Sequence, residues 1–314
     1  MSTATMVKKT VLDRRMDKIR ALEESGKLAT KLTNRTLRKV LSNKLAVLGA
    51  ILFVVICILC FAAPLFTQWG PTQISLRDRL VSPNAELIFG TDQMGRDIWA
   101  RMLYGGRISI IVGLGSALGA AVIGVTLGMY VGYKGKWLDA IILKISDVFL
   151  AFPQMVLIII MVALVGQSLQ NMIIIFILTG WPSMYRMARS KVLSLKEEEF
   201  VQALRAFGIS DVKIAFKHML PNTIGPIVVN ITLSTAMFIL QEASLSVLGY
   251  GVPQEVATWG NIINVITNAG TIRYDWLGYW WMWLPCAIML ILFVLAINFI
   301  GDGLRDASDP TQIG

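Results

Sequence analysis

The feature that most constrains this chain is a set of long stretches without a single charged residue. Residues 45–70 and 108–133 contain no Asp, Glu, Lys or Arg, and residues 148–185 continue without one for 38 positions. A helix that crosses a bilayer needs about 20 largely apolar residues. The 314-residue chain is also only 16% charged, against about 25% in soluble domains. The sequence therefore predicts an all-α, polytopic membrane protein and excludes a disordered chain and most soluble enzymes.

Six transmembrane helices are predicted from these stretches and their flanks. The stretch 148–185 is too long for one span, and Gly166-Gln167-Ser168 forms a polar break inside it. Pro153 is expected to kink the third span, because proline removes a backbone hydrogen bond inside a helix. The predicted spans cover residues 45–66, 108–133, 138–165, 170–185, 224–248 and 279–300.

The distribution of basic residues predicts that both termini lie in the cytoplasm. Residues 1–44 carry 12 Lys and Arg against four acidic residues, and all segments on that side together carry 23. The loops on the opposite side, 67–107 and 250–278, carry six. Cytoplasmic loops of membrane proteins carry an excess of Lys and Arg. The net charge of +9 is therefore attributed to membrane orientation and to contact with lipid, and not to nucleic-acid binding.

This orientation divides the chain into five parts. The five-helix core contains a cytoplasmic loop, 186–222, and an external loop, 250–278. The parts are a basic cytoplasmic segment (1–44), the first transmembrane helix (45–66), an external loop with an amphipathic helix (67–107), the five-helix core (108–304) and a cytoplasmic tail (305–314).

The chain lacks the residue patterns that carry catalysis or cofactor binding. It contains no G-x-x-x-x-G-K-[ST] sequence, so it offers no loop that cradles ATP phosphates. His218 is the single histidine, which excludes a metal site that needs two histidine ligands from this chain. The sequence therefore predicts no catalytic residue, no metal site and no cofactor in this chain.

Small residues recur every four positions along the second predicted span. They are Ser116, Ala120, Gly124, Gly128 and Gly132. Such spacing lets two helix backbones approach closely, which favours helix association in lipid. Two alternatives remain open, namely packing against another helix of this chain and a seam with a partner subunit.

Two acidic residues lie inside predicted spans and are candidates for a translocation path or gate. Asp147 is expected to form a local ion pair with Lys144, one helical turn away. Glu242 falls near the outer end of the fifth span, accompanied by Ser244 and Ser246. Ionisable groups inside a membrane are functional candidates. Glu242 either lines an outer gate or substrate path, or caps backbone groups at the glycine-rich end of its span.

The loop 186–222 has a helical pattern that predicts a binding surface for another protein. Phe200, Leu204 and Phe207 recur at i, i+4 and i+7, with Ala203 on the same side. Gly208 interrupts this pattern before a second helical stretch over 212–219. Exposed apolar residues on a short helix suit a groove of a partner protein.

The segment 90–107 is predicted to form an amphipathic helix on the outer surface. Its candidate surface residues are Asp92, Arg96, Asp97 and Arg107. Two roles are considered, namely an interface helix that orients the second span and a docking site for an external protein. Trp276, Trp280, Trp281 and Trp283 fit an aromatic belt at the outer end of the last span.

Three separate motifs resemble those of one transporter family. Residues 202–208, QALRAFG, are followed after nine residues by His218-Met219-Leu220-Pro221. This resembles the E-A-A-x-x-x-G…I-x-L-P loop of ABC-importer permeases, from which Gln202, Leu204 and His218 depart. Residues 89–97, FGTDQMGRD, and residues 241–253, QEASLSVLGYGVP, are similar to stretches of peptide-transporter permeases. The chain resembles the C-type permease subunit of a bacterial dipeptide or oligopeptide ABC importer.

The resemblance implies an ABC type I importer permease fold in the bacterial plasma membrane. It implies a homologous permease as partner, two P-loop ATPase subunits that bind ATP and Mg, and an extracytoplasmic substrate-binding protein. The chain itself would be a non-catalytic passage for peptides, with nickel or another small solute as an alternative cargo. An ion-channel-type protein is a separate alternative. The residues implied to couple the chain to the ATPases are Phe200, Gln202, Ala203, Leu204, Arg205, Ala206, Phe207, Gly208, Leu220 and Pro221.

Overall fold

A computed structural model describes residues 39–265 and 275–308 of the chain. Most of the basic segment 1–44, part of the external loop 250–278 and the end of the tail 305–314 lie outside the described residues. Helices dominate the described part, as predicted. They are α1 (Lys44–Phe61), α2 (Ile98–Lys134), α3 (Lys136–Ala151), α4 (Gln154–Val165), α5 (Leu169–Lys196), α6 (Glu199–Ala206), α7 (Asp211–Val247), α8 (Trp259–Ile263) and α9 (Leu284–Ser308).

Four described helices are long and apolar enough to cross a membrane, and a bent pair adds a fifth candidate. The four are α1, α2, α7 and residues Leu284–Ala307 of α9. The predicted fourth span, 170–185, lies in α5, which is not among them. This helix does not end at Tyr185 but runs on to Lys196 through Arg186, Arg189 and Lys191, so its second half is polar.

The third span is not one helix, contrary to the prediction over 138–165. Helices α3 and α4 meet at an angle of 92°. Phe152 between them is extended, with φ −93° and ψ 144°, and Pro153 stands at the start of α4. Proline disfavours the helical conformation of the residue before it and has no N–H to donate. Pro153 therefore ends α3 and does not merely bend a continuous span.

The prediction of a separate amphipathic helix over 90–107 is also wrong, because residues 98–107 form the first turns of α2. Asp97 caps this helix by accepting a hydrogen bond from the backbone N–H of Trp99, 3.0 Å away. Arg101, Met102 and Leu103 are buried, so these turns pack inside the molecule. The other end of α2 is set by Gly135, whose φ of +66° lies in the region that favours glycine.

The helical stretch that follows Gly208 runs directly into the predicted fifth span. Residues Ile214–Met219 form a π-helical turn, and Pro221 stands in the first turn of the α-helical part that follows. The predicted ranges left residues 220–223 between the second helical stretch and the fifth span, but proline is compatible with the first turn of an α-helical segment. Leu220 and Pro221 therefore belong to α7 and not to the connecting loop.

The small-residue stripe of α2 packs against α5 of the same chain. A methyl group built on Gly128 would lie 2.7 Å from Cβ of Ala188 and 2.8 Å from the carbonyl oxygen of Tyr185. One built on Gly124 would lie 2.5 Å from the carbonyl oxygen of Trp181. Of the two alternatives for this stripe, the structure shows packing within the chain.

The remaining long helices complete a bundle around α2. Helix α1 lies against α9, where Gly49 faces the backbone at Ala296 and Ile300. Helix α7 crosses α2, where Ile239 fills the space beside Gly113. Close contact at a glycine thus recurs at three helix interfaces.

We predict that Gly128→Ala lowers the free energy of unfolding by about 1–3 kcal/mol, because the added methyl group overpacks the α2–α5 contact. Gly115→Ala is the matched control, since a methyl group there meets nothing within 4 Å. Alanine exceeds glycine in helix propensity by about 1 kcal/mol, so the control should be unchanged or slightly more stable. Thermal unfolding in one detergent checks both variants, and equal midpoints for the two would contradict the packing argument.

Candidate functional site

Helix α6 presents one face to the rest of the chain and leaves the other exposed. Val201 is fully buried and Leu204 is partly buried against the same cluster of apolar side chains. Gln202, Ala203 and Ala206 are exposed, and Phe207 is 83% exposed. The helix is thus held by a short apolar face and offers a second, outward face that is apolar at Ala203 and Phe207.

The end of α6 depends on Gly208. This residue has a φ of +71°, and its N–H donates to the carbonyl oxygen of Arg205 while that of Ile209 donates to Leu204. This is the Schellman arrangement that ends helices at glycine. It turns the chain sharply between α6 and α7.

The predicted apolar face of α6 is divided by the structure. Leu204 points inward, whereas Phe200, Ala203 and Phe207 remain outside. Val201, which lies outside the predicted i, i+4, i+7 pattern, forms the buried contact instead. Tyr133 was also missed; it receives a hydrogen bond of 2.8 Å from Nε of Arg205. No signal within the loop points to Tyr133, which is 72 residues away.

Glu242 forms the centre of a buried cluster of hydroxyl groups. Its side chain is fully buried and accepts hydrogen bonds from Thr258 Oγ1 at 2.8 Å, Ser246 Oγ at 3.0 Å and Ser109 Oγ at 3.3 Å. Two of these hydroxyls also accept hydrogen bonds from the backbone. The N–H of Asn261 donates to Thr258 Oγ1, and the N–H of Trp259 donates to Ser109 Oγ. The cluster joins α2, α7 and the start of α8.

Only part of the predicted translocation set is brought together. Glu242 and Ser246 share the hydroxyl cluster, and Ser244 is exposed and bonds back to its own helix at Leu240. Asp147 lies on α3 and pairs with Arg186 of α5, not with Lys144 as predicted. The sequence could not show this pairing, because it depends on how α3 folds back on α5.

A second ion pair fastens α3 to α5. Both guanidinium nitrogens Nε and Nη2 of Arg189 donate to the carboxylate of Asp139 at 2.6 Å, and the hydroxyl of Tyr185 donates to the same group at 3.1 Å. Bidentate pairs of this kind fix orientation as well as distance. Helix α3 is therefore held along its length by acidic residues that face basic residues of α5.

The residues predicted for an outer-surface helix instead stabilise the connection from α1 to α2. The carboxylate of Asp92 accepts Nε of Arg96 at 2.6 Å and lies 3.7 Å from Nε of buried Arg101. Burial raises the pKa of the Asp97 carboxyl. The hydrogen bonds that this group accepts from backbone N–H groups partly offset the rise in pKa. Arg107 donates to the carbonyl oxygen of Phe61 at 3.0 Å.

Two family models match most of the chain. One is described as "Binding-protein-dependent transport system inner membrane component" and matches residues 124–313. The other is described as "N-terminal TM domain of oligopeptide transport permease C" and matches residues 31–83.

Curated relatives match the chain over nearly its whole length. The dipeptide transport system permease protein DppC of Alkalihalophilus pseudofirmus is 41% identical over 268 residues, 85% of this chain and 86% of that protein. The oligopeptide transport system permease protein OppC of Bacillus subtilis is 35% identical over 288 residues, 92% of each. A chain of the methionine ABC transporter MetNI, solved in inward-facing conformations, is 21% identical with a TM-score of 0.49, over 66% of this chain and 96% of that one.

We predict that Thr258→Val lowers the free energy of unfolding by about 1–3 kcal/mol, because it removes one of the three hydroxyl donors to the buried Glu242 carboxylate and takes away the hydroxyl to which the Asn261 N–H donates. Thr258→Ser is the matched control and keeps the hydroxyl. Thermal unfolding in detergent should rank the variants as wild type, then Ser, then Val. A valine variant as stable as wild type would show that the Thr258 hydroxyl contributes nothing to the stability of the fold.

Proposed function

The chain belongs to the family of binding-protein-dependent transport system inner membrane components, and from this membership we propose that it is the permease subunit of a peptide-importing ABC transporter. It is a multi-pass protein of the inner membrane. The relatives named above carry dipeptide or oligopeptide transport in their names, and this supports peptides as the cargo here.

The observation that carries the proposal is the outward face of α6. A short helix that is anchored on one side and apolar on the other suits a groove in a second protein. In the proposed transporter this protein is a P-loop ATPase, and Ala203 and Phe207 enter its groove. Gln202, Ala206 and Gly208 flank that contact, while Val201 and Leu204 hold the helix to the permease.

The proposed assembly contains two permeases and two ATPases. A homologous permease pairs with this chain around the passage, the ATPases bind ATP and Mg beneath it, and an extracytoplasmic binding protein delivers peptide. This chain performs no chemistry itself. In the proposed topology α5 counts as a span and α3 with α4 as a broken one, which gives six spans and two cytoplasmic termini.

The transport test uses the complete complex in proteoliposomes. With ATP inside and peptide-loaded binding protein outside, we expect accumulation of a labelled dipeptide or oligopeptide, and no accumulation without ATP. Excess unlabelled peptide should compete, whereas nickel salt should not. ATP-dependent uptake of nickel with no uptake of peptide would overturn the peptide assignment and leave the permease role intact.

We predict that Ala203→Asp abolishes peptide uptake, because it places a charge on the face proposed to enter the ATPase groove. Ser194→Asp is the control, since Ser194 is also exposed but lies on α5. Both variants should remain in the membrane at wild-type amounts. Normal uptake by the Ala203→Asp complex, with ATPase still bound, would contradict the assignment of α6.

A further inference from the structure

We propose that Tyr133 is the positioning residue that passes the movement of α6 to the helix pair α2–α5. This inference rests on the proposed function and names the residue through which the coupling acts. Tyr133 stands in the last turn of α2, two residues before Gly135 ends that helix. It contacts no nucleotide and no peptide in this proposal; it fixes the position of α6.

The side chain of Tyr133 is enclosed by cationic groups from two other elements. Its exposure is only 3%. Nε of Arg205, on α6, donates to its hydroxyl at 2.8 Å, and the guanidinium carbon lies 5.0 Å from the ring centroid. Nζ of Lys196, at the end of α5, lies 5.7 Å from the same centroid. Three helix segments therefore meet at one aromatic ring.

The hydrogen bond between Arg205 and Tyr133 gives the contact of α6 a directional preference, which its apolar contact lacks. Burial of Val201 and Leu204 favours contact but has no directional preference. A hydrogen bond from a charged donor to a buried phenol depends on distance and angle. The pair thus fixes the register of α6 against α2, so that α6 cannot slide across the apolar cluster that Val201 and Leu204 contact.

The next step of the path is the packing of α2 on α5. Gly128 lies one turn and a half before Tyr133 and touches the backbone of α5 at Tyr185 and Arg189. Such contacts leave no side chain that could absorb a displacement. A shift of Tyr133 therefore moves α2 and α5 together. On the other side of α6, Gly208 has open space around it and provides the turn toward α7.

The experiment measures peptide taken up per ATP hydrolysed by the complete complex in proteoliposomes. Tyr133→Phe removes only the hydroxyl, and we expect uptake per ATP to fall by about fivefold or more, within the usual range of coupling between sites. Tyr130→Phe is the matched control. Tyr130 stands on the same helix and receives a hydrogen bond from Lys134 at 3.2 Å, but it has no bond to α6 among those described. The control should keep the wild-type ratio.

Two further variants test the pairing itself. Arg205→Lys keeps the charge but changes the planar donor, and it should lower the ratio in the same direction as Tyr133→Phe. The double variant should be no worse than the more impaired single one, because both remove one shared interaction. Tyr133→Leu should reduce the ratio further. If that variant fails to assemble, the comparison of Tyr133→Phe with Tyr130→Phe decides the question.

A structural role alone would lower the amount of assembled complex without changing uptake per ATP. If Tyr133→Phe and Arg205→Lys retain the wild-type ratio while Ala203→Asp abolishes uptake, the role of Tyr133 is overturned and the permease function stands. If Ala203→Asp also leaves uptake normal, the α6 assignment fails with it.

Discussion

Backbone contact between α2 and α5 is the constraint on which the rest of the structure depends. Apolar side chains gain nothing by leaving lipid for another apolar helix, so close packing must supply the association. Gly124 and Gly128 provide it by letting α5 approach the α2 backbone directly. The other elements all contact this pair of helices. Helix α3 forms ion pairs with α5, α6 packs against the apolar cluster at the end of the pair, and α7 crosses α2.

The length of α2 allows it to connect both ends of the molecule. Its 37 residues span about 55 Å at 1.5 Å per residue, whereas the hydrocarbon core of a bilayer is about 30 Å thick. At least one end of α2 therefore lies beyond the apolar region. This explains how one helix holds Arg101 near its start and Lys134 at its end, each near polar partners.

Local chemistry in the sequence predicts some features well. Pro153 marks the break between α3 and α4, Gly208 marks the end of α6, and the four-residue spacing of Gly124 and Gly128 marks a packing face. Each of these depends on a residue's own backbone or on its nearest turn, and such information lies within a few positions of the chain. The angle of the break, 92°, depends on distant contacts and was not predictable.

The orientation of α6 shows why a periodic apolar pattern does not predict which face of a helix is buried. Apolar residues surround much of this helix, at Phe200, Val201, Leu204 and Phe207. A face that packs on the chain and a face kept for a partner are both apolar, so the 3.6-residue period alone does not separate them. The buried side follows from where α2 ends, and that is set by Gly135 far away in sequence.

The buried carboxylate of Glu242 forms a second fixed contact of α2, in the first half of that helix. Ser109 of α2 and Thr258 before α8 both donate to Glu242 of α7, and each also accepts a backbone N–H at the start of α8. A buried carboxylate is tolerated here because both of its oxygens accept hydrogen bonds. The cluster fixes α2 to two neighbours at Ser109, about three turns into the helix. In the proposed coupling, α2 is held at Ser109 and attached to α6 through Tyr133, so a displacement of α6 tilts the α2–α5 pair about the cluster rather than sliding it along its axis.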